Sequence, residues 1–315
     1  MNASKEQASA RAKKEPRANH FVPQCWLAGF TETGQKDGRL WVTDLKRQKQ
    51  WPSSPINTGH RRDFYRVSDE GIDPSGAEKM FSKIEDAVGP ILKRLDSGQC
   101  GPRKDELEHL LLFMAIQWVR VPAFRPTLLA IADSFHRSKI SEALESPASW
   151  TKMLKEAGIS ADDPAADYER MRVFEQSGEY TLSAEAGWYL LRGLQGTKTI
   201  FARLKERRWG TCLSQKGSFI GSDNPVAMDG PKGCKIGFKN AEIITYPVSR
   251  HVFLHGTHVP VKTPFVNQMF IAHKNTFVML AADEQVYSAV PDFCWLDARG
   301  KYQTDWTLFS RKDYE

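Results

Sequence analysis

Asp105-Glu-Leu-Glu-His-Leu-Leu-Leu-Phe-Met-Ala-Ile-Gln-Trp-Val-Arg-Val-Pro122 reads as a helix buried in the middle of a protein. Leu107, Leu110, Leu111, Leu112, Met114, Ala115, Trp118 and Val119 cover most of its circumference, leaving too little polar surface for an ordinary surface helix. The polar residues are gathered: Glu106, His109, Gln117 and Arg120 project within about 80° of one another around Phe113. Such a strip is either a narrow wet face or the wall of a cleft. Val121-Pro122 ends or kinks the helix, so the Arg120 guanidinium sits where the helix dipole favours a cation. Gln117 and Arg120, one turn apart, form a two-point donor set for an anion or a carboxylate such as Glu85.

Upstream, residues 77 to 96 carry Phe81, Ile84, Val88, Ile91, Leu92 and Leu95 on one helical stripe. Glu85 projects only about 20° from Leu92, inside that apolar face, and Glu78 falls on the same edge. A carboxylate facing a core is hydrogen-bonded, paired, metal-bound or protonated, because a bare charge in low dielectric is too costly. Downstream, helical period continues over Leu128 to Ile140, Trp150 to Ala157, Tyr168 to Phe174 and Tyr189 to Leu204. The break at 158 to 164, Gly-Ile-Ser-Ala-Asp-Asp-Pro, reads as a loop between helices.

The ends of the chain read as β-structure. Residues 39 to 44 alternate like a strand, and His60 to Val67 offer a second extended segment. After Arg208, Trp209 to Leu213 and Ser218 to Gly221 read as a hairpin across Ser214 to Gly217, with further strands at Glu242 to Val248, His251 to Leu254 and Thr276 to Ala281. The fold class is therefore α+β: a mainly helical middle, a small N-terminal β element and an antiparallel β-rich C-terminal part. Asp223 and Asn224 follow a strand that Pro225 cannot continue, which defines either a site on a rigid scaffold or an Asx-turn holding its own backbone.

Composition sets the outer limits. The chain has 315 residues, 41% of them hydrophobic, and no apolar run approaches the roughly 20 residues of a membrane-spanning helix. Met1 to Glu6 lack the apolar stretch of a secretory signal, so a cytoplasmic location without membrane attachment is expected. Five scattered cysteines without a Cys-x-x-Cys pair argue against a disulfide framework or a structural zinc site. The net charge is +6, yet Lys5, Arg11, Lys13, Lys14 and Arg17 against Glu6 and Glu15 place half of it in the first 19 residues. Residues 1 to 18 are expected to form a disordered basic tail and 19 to 315 a single α+β domain. Lys205, Arg207 and Arg208, or Arg61 and Arg62, are local basic patches or simply solvated faces. His251, His255 and His258 make a weak metal set, because Gly256 and Pro260 break the segment and no acid stands beside them. No Gly-x-Ser-x-Gly, Gly-x-Gly-x-x-Gly, phosphate loop or His-Glu-x-x-His motif is present.

Near the N-terminus, Asn19-His-Phe-Val-Pro-Gln-Cys-Trp-Leu-Ala-Gly-Phe30 sets one imidazole against an apolar, aromatic segment in which Pro23 suits the first turn of a short helix. Taken with Asp63-Phe-Tyr65, Ser82-Lys-Ile-Glu85, Gln117 to Pro122, Phe219 to Val226 and Tyr246-Pro-Val-Ser249, this segment resembles the ordered landmarks of domain-of-unknown-function family 4238 over about residues 19 to 255. Cys25-Trp26 stands where an aromatic pair is more usual, and Val121 where Thr is common. That family has no agreed activity. The resemblance implies a shared site built from His20, Glu85, Gln117, Arg120, Asp223 and Asn224.

Those six residues suit a polar pocket better than packing. The expected function is an intracellular hydrolase acting on a phosphate-containing substrate, a nucleic acid or nucleotide. His20, Glu85 and Asp223 form its catalytic group, with His20 as general base or acid and the two carboxylates holding a divalent cation or sharing proton transfer. Gln117, Arg120 and Asn224 bind substrate, with Arg120 and Gln117 stabilising phosphoryl charge. An oxygen-ligated magnesium or manganese suits this set better than zinc. The alternative is a non-catalytic module that binds nucleic acid or a protein, with these residues as a buried structural network.

Overall fold

The computed structural model describes residues 18–62, 64, 76–160, 162–216, 218–231, 233–260 and 266–314. The expected tail therefore lies outside the described residues except for Ala18, as do residues 65 to 67 of the second extended segment.

The chain opens with β1 (Ala18–His20), the short helix α1 (Gln24–Leu27), β2 (Leu40–Asp44), β3 (Lys49–Ser53) and β4 (His60–Arg62). The helices follow: α2 (Gly76–Leu95), α3 (Lys104–Arg120), α4 (Phe124–Ala143), α5 (Pro147–Ala157), α6 (Tyr168–Ser177) and α7 (Ala186–Lys205). Next come β5 (Arg208–Leu213), β6 (Gly221–Ser222), β7 (Ala227–Asp229), β8 (Ile243–Pro247), β9 (Val252–Thr257), α8 (Gln268–Ala281), β10 (Gln285–Ser288), β11 (Trp295–Leu296) and β12 (Tyr302–Gln303). The architecture is α+β, helical in the middle with antiparallel sheets toward both ends. No single helix among the described residues is long and apolar enough to cross a membrane.

Local chemistry explains the helix limits. The Ser146 hydroxyl accepts from Ser149 N–H at 3.1 Å, Pro147 occupies the first turn of α5, and Gly158 closes that helix with φ 67°. The break at 158 to 164 is indeed a connection between α5 and α6. In α2, Phe81, Val88, Leu92 and Leu95 are buried as their spacing predicts.

Among the described residues four antiparallel sheets form. β1 pairs with β4, β11 with β12, and the two larger sheets run β3-β2-β10-β6 and β5-β9-β8-β7. Strand β9 separates two cores by its period of two: Val252 and Leu254 enter a cluster with Trp26, Phe30, Phe81 and Phe113, whereas Phe253 enters one with Phe219, Met279 and Trp295. Gly221 is required by the first core, since an added Cβ would lie 2.6 Å from the Trp26 ring.

Two expectations are corrected. Trp209 to Leu213 and Ser218 to Gly221 are not a hairpin: β5 pairs with β9, while β6 joins β10 in the other large sheet. The reason lies in the link, where Ser214 N–H donates to His251 O and Phe219 N–H to Arg250 O, so both strand ends dock on the β8–β9 turn. Thr276 to Ala281 is the last part of α8, not a strand. Its Thr-Phe-Val run has strand composition, but Asn267 caps the helix at Phe270 N–H, and Ile271, Ala272, Asn275, Thr276, Val278 and Met279 are all buried. Burial around most of the helix outweighs local propensity.

Candidate functional site

A cavity of about 860 Å³ lies between the N-terminal segment and α2, with His20, Gln24, Glu78, Glu85, Asp96 and Arg120 among its lining residues. Its histidine is held from both sides. Downstream, Pro23 is the N-cap of α1 (φ −63°, ψ 138°) rather than part of its first turn. Trp26, Leu27 and Phe30 are fully buried, and Trp26 Nε1 donates to Pro247 O at 2.9 Å. Upstream, Asn19 and His20 sit in β1 opposite Arg61 and His60.

Arg120 ties the wall together. At the C-terminal end of α3, its side chain is only 2% exposed. Nη1 donates to Glu85 Oε1 at 2.8 Å, Nη2 donates to the backbone oxygen of His20, and the guanidinium stacks 4.1 Å from the Phe81 ring centre. Glu85 therefore takes the ion-paired option among those open to a carboxylate on an apolar stripe. Glu78, one edge position earlier, accepts from Asn19 Nδ2 at 2.9 Å. Burial raises the Glu78 carboxyl above its ordinary range, against the opposing pull of Arg120 and Asn19.

The His20 ring is held by its neighbours. Its Nε2 lies 3.2 Å from Ile56 O, and a carbonyl only accepts, so Nε2 carries the proton and Nδ1 keeps the lone pair. The Gln24 amide nitrogen rests against the ring, 3.3 Å from Nε2 and 3.5 Å from Nδ1. Burial lowers the imidazole pKa; the Ile56 carbonyl raises it, and His60, whose ring centre is 5.2 Å away, lowers it further. Cys25 also lines the cavity but is no nucleophile: burial pushes its thiol up to about 12.

The other expected site residues lie elsewhere. Gln117 is fully buried and does not line the cavity; its Oε1 accepts from Tyr246 O–H at 2.6 Å. The two-point donor set of Gln117 and Arg120 is thus split between the core and the cavity wall, because the strip enters the core at Gln117. Glu106 on the same strip pairs with Arg94, and His109 is exposed.

Asp223 and Asn224 are clamps. The Asp223 carboxylate accepts from the backbone N–H groups of Asp283, Glu284 and Gln285 at 2.8, 2.8 and 2.9 Å. Asn224 Nδ2 donates to Ala281 O at 2.9 Å, at the C-terminal end of α8. The pair holds the α8–β10 turn, some sixty residues away, rather than its own backbone as an Asx-turn would. Burial pushes Asp223 up to about 6 even with three N–H donors pulling the other way. Asp223 also borders a second cavity, of about 260 Å³. The expectation of one six-residue pocket is therefore corrected: His20, Glu85 and Arg120 meet, and Gln117, Asp223 and Asn224 do not join them. A divalent cation shared by Glu85 and Asp223 has no basis in this geometry, since the two carboxylates line different cavities and each is already engaged. Among the described residues no group of three or more His, Cys, Asp or Glu side chains stands ready to hold a metal ion.

The matching family profile is described as "Protein of unknown function (DUF4238)" and spans residues 18–292. The chain belongs to the DUF4238 family. No curated protein and no solved structure matches it. In this DUF4238 chain the matched span contains the whole cavity and the Asp223 clamp, and only β11, β12 and the last turns lie beyond it.

Sequence reasoning passed over Gln24, Asp96 and Glu78 as site members. Gln24 stood in the opening motif and Glu78 on the Glu85 edge, so both were legible. Asp96 was not: it reaches the cavity beside Gly34 (φ 73°) and pairs with Arg250 at 3.3 Å, a contact only the tertiary fold creates.

The remaining groups singled out in the sequence disperse. Arg207 is buried and donates to Phe238 O and Ala241 O, whereas Lys205, paired with Glu108, and Arg208 are exposed. Nδ1 of His251 meets Ser214 O, whereas Nδ1 of His255 faces Cys212 Sγ.

Proposed function

We propose that the larger cavity is the active site of an intracellular hydrolase acting on a phosphate-containing substrate, a nucleotide or nucleic acid. The observation that carries this reading is the His20 ring: neutral by burial, tautomer set by Ile56, lone pair on Nδ1 and bordering an open cavity. In the reaction Nδ1 takes a proton from water, the water oxygen attacks phosphorus, and the bond to the leaving oxygen breaks. Glu78, which lines the same cavity and whose carboxyl burial raises, supplies the proton to that oxygen.

Arg120 has a different role from the one its sequence position suggests. It already donates to Glu85 and to the His20 carbonyl, so it positions the base instead of clamping phosphate. Charge is nearly balanced once the internal pairs Glu85–Arg120 and Asp96–Arg250 are set aside: Asp37, Glu78 and Asp86 face Lys36 and Lys93. A phosphate entering as its magnesium or manganese complex matches this lining better than a bare anion.

The test is a screen of nucleotides and short DNA and RNA strands with magnesium, with manganese and with EDTA, read by hydrolysis and by melting temperature. Hydrolysis that rises with pH as His20 loses its proton supports the reading. No turnover, no ligand-dependent stabilisation of the wild type, and loss of folding in Glu85→Gln would instead support the reading as a non-catalytic module, which the internal bonding of Gln117 and Asp223 favours.

A further inference from the structure

The smaller cavity, of about 260 Å³, is lined by Arg47, Trp51, Asn57, His60, Arg61 and Asp223 among others. It adjoins the larger one through a pair of rings, since His60 borders the smaller cavity, His20 borders the larger, and their centres are 5.2 Å apart. Its acids are already occupied. Both oxygens of Asp223 accept backbone N–H groups, and Glu284 pairs with Lys46 at 3.3 Å. Its cations are not. Arg47 approaches Asp44 only to 3.8 Å, too far for a hydrogen bond, and is 68% exposed. Arg61 is exposed, lies 5.7 Å over the Phe21 ring and makes no ion pair among the described residues. Trp51, on β3, is partly exposed and offers a ring at the same wall.

Two available guanidinium groups beside one tryptophan face are what a phosphodiester strand with unstacked bases needs: charge for the backbone and a platform for a base. The concavity is narrow, and bases stacked inside a duplex cannot reach Trp51. We propose that this smaller cavity holds single-stranded nucleic acid, with one base on Trp51 and a phosphate between Arg47 and Arg61. The strand then passes His60 to present its next phosphodiester to His20. This deepens the hydrolase reading and rests on it for the direction of the strand, while the binding itself is measured apart from turnover.

The experiment is fluorescence anisotropy of labelled single-stranded DNA and RNA 12-mers, a labelled mononucleotide and a labelled duplex, using the full chain in EDTA. The single strands bind more tightly than the mononucleotide or the duplex. Arg47→Ala with Arg61→Ala weakens strand binding by about tenfold or more and lowers the salt slope by about 0.7, the loss of one neutralised phosphate. Trp51→Ala costs about tenfold, and Trp51→Phe, which keeps a ring, restores most of it. Equal affinity for mononucleotide and strand, equal affinity for duplex and strand, or a double variant with wild-type affinity and slope overturns the proposal. Strand binding as described without hydrolysis by any preparation would remove the hydrolase reading and leave the binding site standing; hydrolysis unaffected by the Arg47 and Arg61 changes would do the reverse.

Discussion

The His20–Glu85–Arg120 wall and the Asp223–Asn224 turn are built from the same kinds of residue, yet they use them in opposite ways. At the turn, both Asp223 oxygens and the Asn224 amide are directed at backbone groups of a distant segment, and what results is a joint between α8 and β10. At the wall, Arg120 is likewise bonded to its neighbours, but the histidine whose backbone oxygen it holds borders an open cavity. A polar residue at a well-defined strand end therefore says little about function until its partners are counted, because a joint and a site need the same side chains.

The contrast can be broken most forcefully at Arg120. Arg120→Met removes a buried cation from Glu85, from the His20 carbonyl and from the Phe81 ring, and is expected to cost about 3–5 kcal/mol in urea unfolding. Activity should fall further than stability explains, since His20 loses its anchor. A loss below about 1 kcal/mol would mean that the pair does not organise the wall.

Asp223→Ala is next. It orphans three backbone N–H groups in a half-buried turn, an expected loss of about 3 kcal/mol. The folded fraction should keep its full rate of hydrolysis, and a lower rate per folded molecule would move Asp223 back into the site. Tyr246→Phe is smaller, about 1–2 kcal/mol, because it strips the fully buried Gln117 of its one O–H donor without opening a cavity.

The pH dependence separates the two regions by the sign of its slope. His20 titrates below its ordinary 6.5, so under pH 6.5 the unfolded chain binds more protons and stability falls on acidification through the folded pKa. Asp223 moves from 3.8 up to about 6, so between those values the folded chain binds more protons and stability falls as pH rises. Subtracting His20→Gln and Asp223→Asn unfolding curves from the wild type should show slopes of opposite sign in these windows; slopes of the same sign would contradict the assignments.

Much of this was written in local pattern. The stripe from Phe81 to Leu95, the apolar cover of most of α3 and the stray carboxylate at Glu85 are consequences of helical period, and Glu85 was among the partners that pattern allowed for Arg120. What was illegible depended on distant partners. Thr276-Phe-Val reads as a strand until Asn267 and the surrounding core are known, and the link at Ser214 reads as a hairpin turn until the β8–β9 turn takes its backbone donors. The site divides in the same way: His20, Glu85 and Arg120 meet through elements whose faces were predictable, whereas the role of Asp223 is decided by Asp283 to Gln285, sixty residues on.

The central claim is that His20 works and the Asp223 turn only supports. It is tested most directly by the rate at which His20→Ala hydrolyses the strand or nucleotide turned over by the wild type, with its unfolding free energy measured alongside. A rate lower by about 100-fold or more, at a stability within about 1 kcal/mol of wild type, is the predicted result. Hydrolysis at the wild-type rate by a folded His20→Ala chain would contradict it.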